Sequence, residues 1–199
     1  MRVIAGIYKG RKLAAPPGKE IRPTTDKTKE AIFSILTNEI PGARVLDIFS
    51  GTGALGIEAL SRGADICVFC EKSKTALSQI RDNLDHCGID VRTLHRVFET
   101  DEIDEPVAAI CPGDMEKTLG HIAQVSNGPF DVILMDPPYG QGLCQKAMEI
   151  IGEEGLLDED GLIVCEHPDN EELPDEAGGF VKTKERRYGI SRVSIYRRK

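Results

Sequence analysis

The sequence predicts an α/β fold, a doubly wound and mostly parallel sheet with helices on both faces. Three observations predict it. From Ala43 onward, near-continuous apolar runs alternate with stretches of helical periodicity, as strands buried on both faces require. The glycines Gly51, Gly53 and Gly56 stand between the first such run and the helical stretch after it. A chain of 199 residues that is 40% hydrophobic is the right size for one compact unit with a real core.

The elements follow in order. Residues 2 to 14 read as a short hairpin around Lys9-Gly10, broken by Pro16-Pro17-Gly18. In Thr25 to Asn38 the apolar Ala31, Ile32, Ile35 and Leu36 recur at helical spacing, Thr24 or Thr25 can cap the start, and Pro41-Gly42 ends it. This hairpin and helix form an N-terminal extension, residues 1–42, ahead of the main unit, residues 43–199. Strands are expected at Arg44 to Phe49, Ile66 to Cys70, Val107 to Cys111, Phe130 to Met135 and Leu162 to Glu166. Helices are expected at Ala54 to Ser61, Lys74 to Cys87 with Gly88 as stop, Met115 to Gln124 and Gln141 to Gly152. Val181 to Tyr188 and Ser191 to Arg198, joined at Gly189, predict a closing antiparallel hairpin.

Composition narrows the function classes. The longest apolar runs, such as Val132 to Met135, fall far short of the ~20 residues that cross a bilayer. The first residues carry no apolar stretch of signal-peptide length, so a cytoplasmic location is expected. Cys67, Cys70, Cys87, Cys111, Cys144 and Cys165 mostly sit in apolar runs, where Cys packs as a small hydrophobe. Cys67 and Cys70 have CxxC spacing, but no second pair or histidine stands at zinc spacing, so no metal is expected. The net charge of −8 hides a segregation. Residues 1–29 hold eight basic against two acidic residues, residues 182–199 eight against one, and the middle nine against 30. An acidic body with two basic ends suits a polyanion bound at one surface, the alternative being solvated termini.

The run Asp47-Ile-Phe-Ser-Gly51-Thr-Gly53-Ala-Leu-Gly56 contains GxGxxG, and Glu71 lies twenty residues after Gly51 at the end of the second strand. That is a Rossmann-like nucleotide site, in which glycines admit a close ligand and the acidic residue takes ribose hydroxyls. NAD and S-adenosylmethionine both fit so far. Asp47 discriminates: a carboxylate there repels a pyrophosphate and attracts an ammonium and a sulfonium, which favours S-adenosylmethionine. Asp114, after the third strand, can accept from an adenine amino group or cap the next helix.

The fourth strand ends in Asp136-Pro137-Pro138-Tyr139. Consecutive prolines hold this segment extended and offer no N–H. The Asp136 carboxylate and the Pro137 carbonyl are then acceptors for an exocyclic –NH2, and Tyr139 is a ring on which a base can stack, worth about 1–3 kcal/mol. Holding both amine protons favours the pyramidal form, whose lone pair can attack a methyl sulfonium in line.

Together these residues resemble the class I S-adenosylmethionine-dependent methyltransferases of base amino groups. More closely, the chain is similar to the bacterial family that methylates guanine N2 in 16S ribosomal RNA, from Met1 nearly to its end. Arg2-Val-Ile-Ala-Gly6, Arg22 to Phe33 (RPTTDKTKEAIF), Asp47 to Ala64, Asp136 to Tyr139 and Arg187-Tyr188-Gly189 carry the likeness. The resemblance implies that Arg22 to Phe33 folds over the cofactor, with Thr25 near its carboxylate. It implies Asp47, Phe49, Ser50 and the glycines at the methionine end, Glu71 at the ribose, and Asp114 with Met115 at the adenine. Asp136, Pro137, Pro138 and Tyr139 are the expected catalytic group. The chain departs from the pattern in a longer stretch before Gly113, with the acidic run Glu99 to Glu105, read as a solvated loop.

Arg2, Lys9, Arg11, Lys12 and Arg22, with Arg186 and Arg187, are the expected RNA-binding residues, the two basic ends meeting beside Tyr139 as a phosphate cradle. The expected partner is 16S ribosomal RNA, free or in an assembled small subunit, bound by a monomer. The competing readings are a DNA adenine-N6 methyltransferase, which would share the loop and the tetrapeptide, and a non-catalytic RNA-binding assembly protein with a retained cofactor pocket. His86, His95, His121 and His167 fit no catalytic arrangement visible in the sequence.

Overall fold

The computed structural model describes residues 1–14, 26–99 and 103–199. Strands β1 (Arg44–Ile48), β2 (Ile66–Glu71), β3 (Asp90–Arg92), β4 (Val107–Pro112), β5 (Phe130–Met135) and β6 (Leu157–Pro168) pair in parallel. Strands β7 (Glu176–Ala177), β8 (Phe180–Tyr188) and β9 (Ser191–Arg198) add an antiparallel edge, giving the order β3-β4-β2-β1-β5-β6-β9-β8-β7. The helices are α1 (Asp26–Ile35), α2 (Ala54–Ser61), α3 (Lys74–Cys87), α4 (Leu94–Val97), α5 (Met115–Val125) and α6 (Leu143–Glu153). This is the expected doubly wound sheet.

Strand periodicity divides the core in two. Val45, Phe69, Leu134 and Val164 turn to one face, against Phe33 of α1, Ile57 of α2 and Ile80 of α3. Leu46, Val68, Ile133 and Cys165 turn to the other, against Val97 of α4, Leu119 of α5 and Met148 of α6. All six cysteines are buried free thiols. Among the described residues, no helix is long and apolar enough to cross a membrane.

Several elements differ from expectation. α1 ends at Ile35 and gives way to turns before Pro41, while its expected cap at Thr24 or Thr25 lies outside the described residues. The N-terminal hairpin forms no strands: it is closed by one bridge, Arg2 to Lys12, and by turn bonds from Lys9 N–H to Gly6 and from Arg11 N–H to Tyr8. Gly6 explains the bend, since a Cβ there would stand 1.6 Å from the Ser61 carbonyl oxygen. β6 starts at Leu157 rather than Leu162, with a register shift opposite Phe130 and Val132. Of the acidic run, residues 100–102 lie outside the described residues; Glu99, Asp104 and Glu105 are exposed, as expected, while the apolar Ile103 packs on the second core.

β1 lies between β2 and β5, so the winding reverses direction there. A crevice at the carboxyl ends of these strands is the consequence.

Candidate active site

That crevice has a volume of about 1010 Å³ and is lined from both halves of the sheet. Its floor is the β1–α2 turn. Gly51 (φ 54°) and Gly53 (φ 78°) take left-handed backbone, while Gly56 is needed for packing, because a Cβ would lie 2.3 Å from the Phe69 ring. Phe49 is also left-handed, at φ 64°. Among the described residues it is the one non-glycine so placed, a conformation that costs about 1–2 kcal/mol. Ser50 holds the turn against that strain: its N–H donates to the Cys70 carbonyl (3.1 Å) and its hydroxyl to the Asp47 carbonyl (2.6 Å).

Among the described residues, five carboxylates line the cavity: Asp47, Glu71, Asp114, Glu116 and Asp136. Asp47 is 1% exposed and its Oδ2 accepts the Gly56 N–H at 3.0 Å. Burial pushes its carboxyl up to about 8, with Asp136 and Glu71 adding to the shift and the Gly56 amide opposing it. The sequence reading took Asp47 as a standing negative charge, whereas burial favours its neutral form. Glu71 is fixed by backbone: Oε2 accepts from Gly51 N–H (2.9 Å) and Oε1 from Lys72 and Ser73 N–H (2.8 Å each). It organises the loop as well as facing the cavity. Asp136 is half-buried, followed by buried Pro137, exposed Pro138, and Tyr139 with 47% exposure. Asp114 stands at the N-cap of α5 without making a side-chain capping bond, and lines the cavity beside Met115. Lys117, Gln141 and Leu143 also line it and were not singled out from sequence.

These groups suit an S-adenosyl ligand. α2 begins at Gly53 with no side-chain cap, which suits an incoming carboxylate, and the carboxylates beyond it suit a cationic centre and hydroxyl donors. The cavity accommodates a nucleoside-sized ligand with space left beside Tyr139.

The N-terminal extension is tied to the helix that starts this floor. Glu58 of α2 is fully buried and takes four donors: Ile4 N–H (2.8 Å), Ala5 N–H (3.0 Å), Lys29 Nζ (3.1 Å) and Arg62 Nε (2.8 Å). Burial lowers the Lys29 ammonium below the ordinary lysine range, and Glu58 opposes that shift. Asn83 of α3 joins the extension to the loop, accepting from Ala14 N–H (2.7 Å) and donating to the Thr52 carbonyl (2.9 Å).

The basic residues are exposed but divided. Arg2 pairs with Asp26 near the crevice, where Met1 lines the wall. Ile7 and Tyr8 donate to Ser61 at the far end of α2, so the hairpin tip with Lys9 lies about 12 Å along that helix from Gly53. Arg11 donates to the His86 carbonyl in the last turn of α3, and Lys12 bridges back to Arg2. Arg186 and Arg187 lie in the last residues of β8, whose turn is level with Pro168 at the carboxyl end of β6. The expected meeting of both basic ends beside Tyr139 is therefore corrected for Lys9 and Arg11, because Glu58 and Ser61 draw that segment down α2. Arg22 and Thr25 lie outside the described residues.

The sequence pattern of the family described as "Conserved hypothetical protein 95" matches residues 1–197. "Putative rRNA methyltransferase YlbH" of Bacillus subtilis is 39% identical over all of this chain and all of its own length. "Ribosomal RNA small subunit methyltransferase D" of Haemophilus influenzae is 32% identical, covering 98% of this chain and 93% of its own. The solved structure titled "Putative methyltransferase yhhF from Escherichia coli" superposes with a TM-score of 0.78 at 28% identity, covering 100% of this chain and 98% of that one.

Proposed function

We propose, since this chain belongs to the Conserved hypothetical protein 95 family with the ribosomal RNA small subunit methyltransferase D proteins, that it transfers a methyl group from S-adenosylmethionine to N2 of a guanine in 16S ribosomal RNA. One observation carries the reading. Asp136, Pro137, Pro138 and Tyr139 share a single cavity with Asp47, the glycine turn and Glu71.

When bound, S-adenosylmethionine supplies an electrophilic methyl on a cationic sulfur. The chain's own groups do the rest by placement. The Asp136 carboxylate and the Pro137 carbonyl accept hydrogen bonds from the two N–H groups of the target –NH2 and turn its lone pair toward the cofactor end, and as the nitrogen takes the methyl its surplus proton passes to the Asp136 carboxylate. The half-exposed Tyr139 ring receives the base. The nearby Asp47 carboxyl ionises as positive charge enters, which keeps the buried site close to neutral. A base drawn from folded RNA must leave its stack at a cost of a few kcal/mol, and phosphate contacts at Arg186 and Arg187 on the same edge offset part of it.

Adenine N6 in DNA would suit the same tetrapeptide, but relatives that match nearly the whole chain bear rRNA names. The test is incubation with methyl-labelled S-adenosylmethionine and separate ribosomal RNAs, subunits and DNA, followed by nucleoside analysis. N2-methylguanine from 16S RNA is expected, and Asp136→Ala removes it while cofactor affinity stays within about twofold. Label in N6-methyladenine overturns the substrate, and an active Asp136→Ala overturns the mechanism.

A further inference from the structure

His167, which sequence reasoning left without a role, is the penultimate residue of β6 and is 1% exposed. Its Nδ1 faces two carbonyls, those of Glu171 (3.0 Å) and Pro168 (3.2 Å), so this nitrogen carries a proton and donates. Nε2 lies 2.9 Å from the Ser194 hydroxyl in β9, which is itself 2.9 Å from Glu185 Oε2. Glu185 Oε1 accepts from Arg192 (3.0 Å), Arg192 donates to Asp169 (2.9 Å), and Asp169 pairs with Arg187 (2.7 Å). At the other end of the chain of bonds, the Glu171 carboxylate accepts the Gly140 N–H, the amide that follows Tyr139. That contact is long, 3.4 Å, as is common in sites whose bonds tighten once substrate is present.

Tyr139 and Gln141 stand in a loop that begins at rigid prolines but includes two left-handed glycines, Gly140 (φ 72°) and Gly142 (φ 64°). We propose that His167 and Glu171 form a positioning pair for the base-binding loop: His167 fastens the 168–171 turn to the β6–β9 edge, and Glu171 holds Gly140, so that Tyr139 is presented at a set angle to the base. The role rests on the methyl-transfer reading for its effect on rate, and on geometry alone for its effect on the loop. Arg187 closes the same network at the edge assigned to RNA, so a phosphate that draws Arg187 from Asp169 acts on the support of the loop.

The substitutions separate His167's two bonds. Asn carries an amide nitrogen where Nδ1 stands and keeps the bond to Glu171, whereas Gln reaches only toward Ser194. Hydrogen exchange of residues 139–142 in the ligand-free protein reads the clamp without any substrate. His167→Gln and Glu171→Ala should exchange faster there, and His167→Asn should match the wild type. In methyl transfer at saturating cofactor, the first two should lose about tenfold or more in kcat, with His167→Asn within about threefold and cofactor affinity within about twofold in all. The double variant His167→Gln/Glu171→Ala should be no worse than the weaker single variant, as for groups acting in series. Glu171→Ala, a change at a half-exposed site, decides the matter if the His167 variants do not fold. Unchanged exchange in Glu171→Ala, equal behaviour of His167→Asn and His167→Gln, or a parallel loss of cofactor binding overturns the assignment. A different methylated nucleoside from the wild type would change the substrate reading and leave the exchange result standing.

Discussion

The position of the Asp47 carboxyl at about 8 makes cofactor affinity a function of pH in a calculable way. In the ligand-free crevice the group is mostly protonated at pH 6 and is about three-quarters protonated at pH 7.5. A ligand with a sulfonium and an ammonium stabilises the ionised form and returns the carboxyl toward its ordinary value, so binding releases a proton. The sign follows: affinity rises with pH up to about 8 and levels off above it. With the bound form ionised throughout, the gain between pH 6.0 and 7.5 is about 20-fold, or ~1.8 kcal/mol. Calorimetry in buffers of different ionisation enthalpy measures both the affinity and the proton, and close to one proton should be released at pH 6.5. Asp47→Asn, which keeps the acceptor for Gly56, should show a flat profile and bind at pH 7.5 more than about 20-fold more weakly than the wild type. A flat wild-type profile, or proton uptake on binding, would refute the assignment of Asp47 as the group that answers the ligand's charge.

Glu71→Ala should weaken cofactor binding by about 10- to 100-fold in calorimetry and, because it strands the Gly51, Lys72 and Ser73 amides, should also lower the melting temperature. An unchanged affinity would place the ribose elsewhere. Lys29→Met leaves the buried Glu58 short of its ammonium partner and should cost about 3–5 kcal/mol in urea unfolding, while the same change at exposed Lys27 should cost under about 0.5 kcal/mol. Lys9→Glu with Lys12→Glu should reduce RNA affinity and flatten its salt dependence while leaving cofactor affinity unchanged. Salt titrations identical to wild type would make those charges mere solvated surface.

What the sequence disclosed has a physical pattern. Apolar runs, periodic in α3 and near-continuous in α2 and β5, marked these elements at their observed bounds, as the pattern after Gly189 did for β9, because burial acts on every residue of such a run. β3, α4 and β7 are two to four residues long and carry no period to detect. The crevice was legible because glycine turns and a proline-locked strand end are local chemistry. Glu58 was not, since its four donors come from three separate segments, and an acidic residue within a helical stretch reads as solvent-facing. His167 was hidden for the same reason: its partners lie on β9 and the turn after β6.

The hold of Glu58 and Asn83 on the first fourteen residues bears on synthesis. Ile4 waits for a partner 54 residues later and Ala14 for one 69 residues later. At 5–20 residues per second the ribosome needs about 3–14 s to make the second of these intervals. During that time a segment carrying Val3, Leu13 and four cations has no surface on which to settle. Its charges keep it hydrated, and a nascent arm rich in Lys and Arg emerges onto a particle whose surface is largely RNA. A slowed codon between residues 60 and 83 should lengthen the exposure of this arm, and protease sensitivity of stalled chains would record when α2 and α3 first receive it.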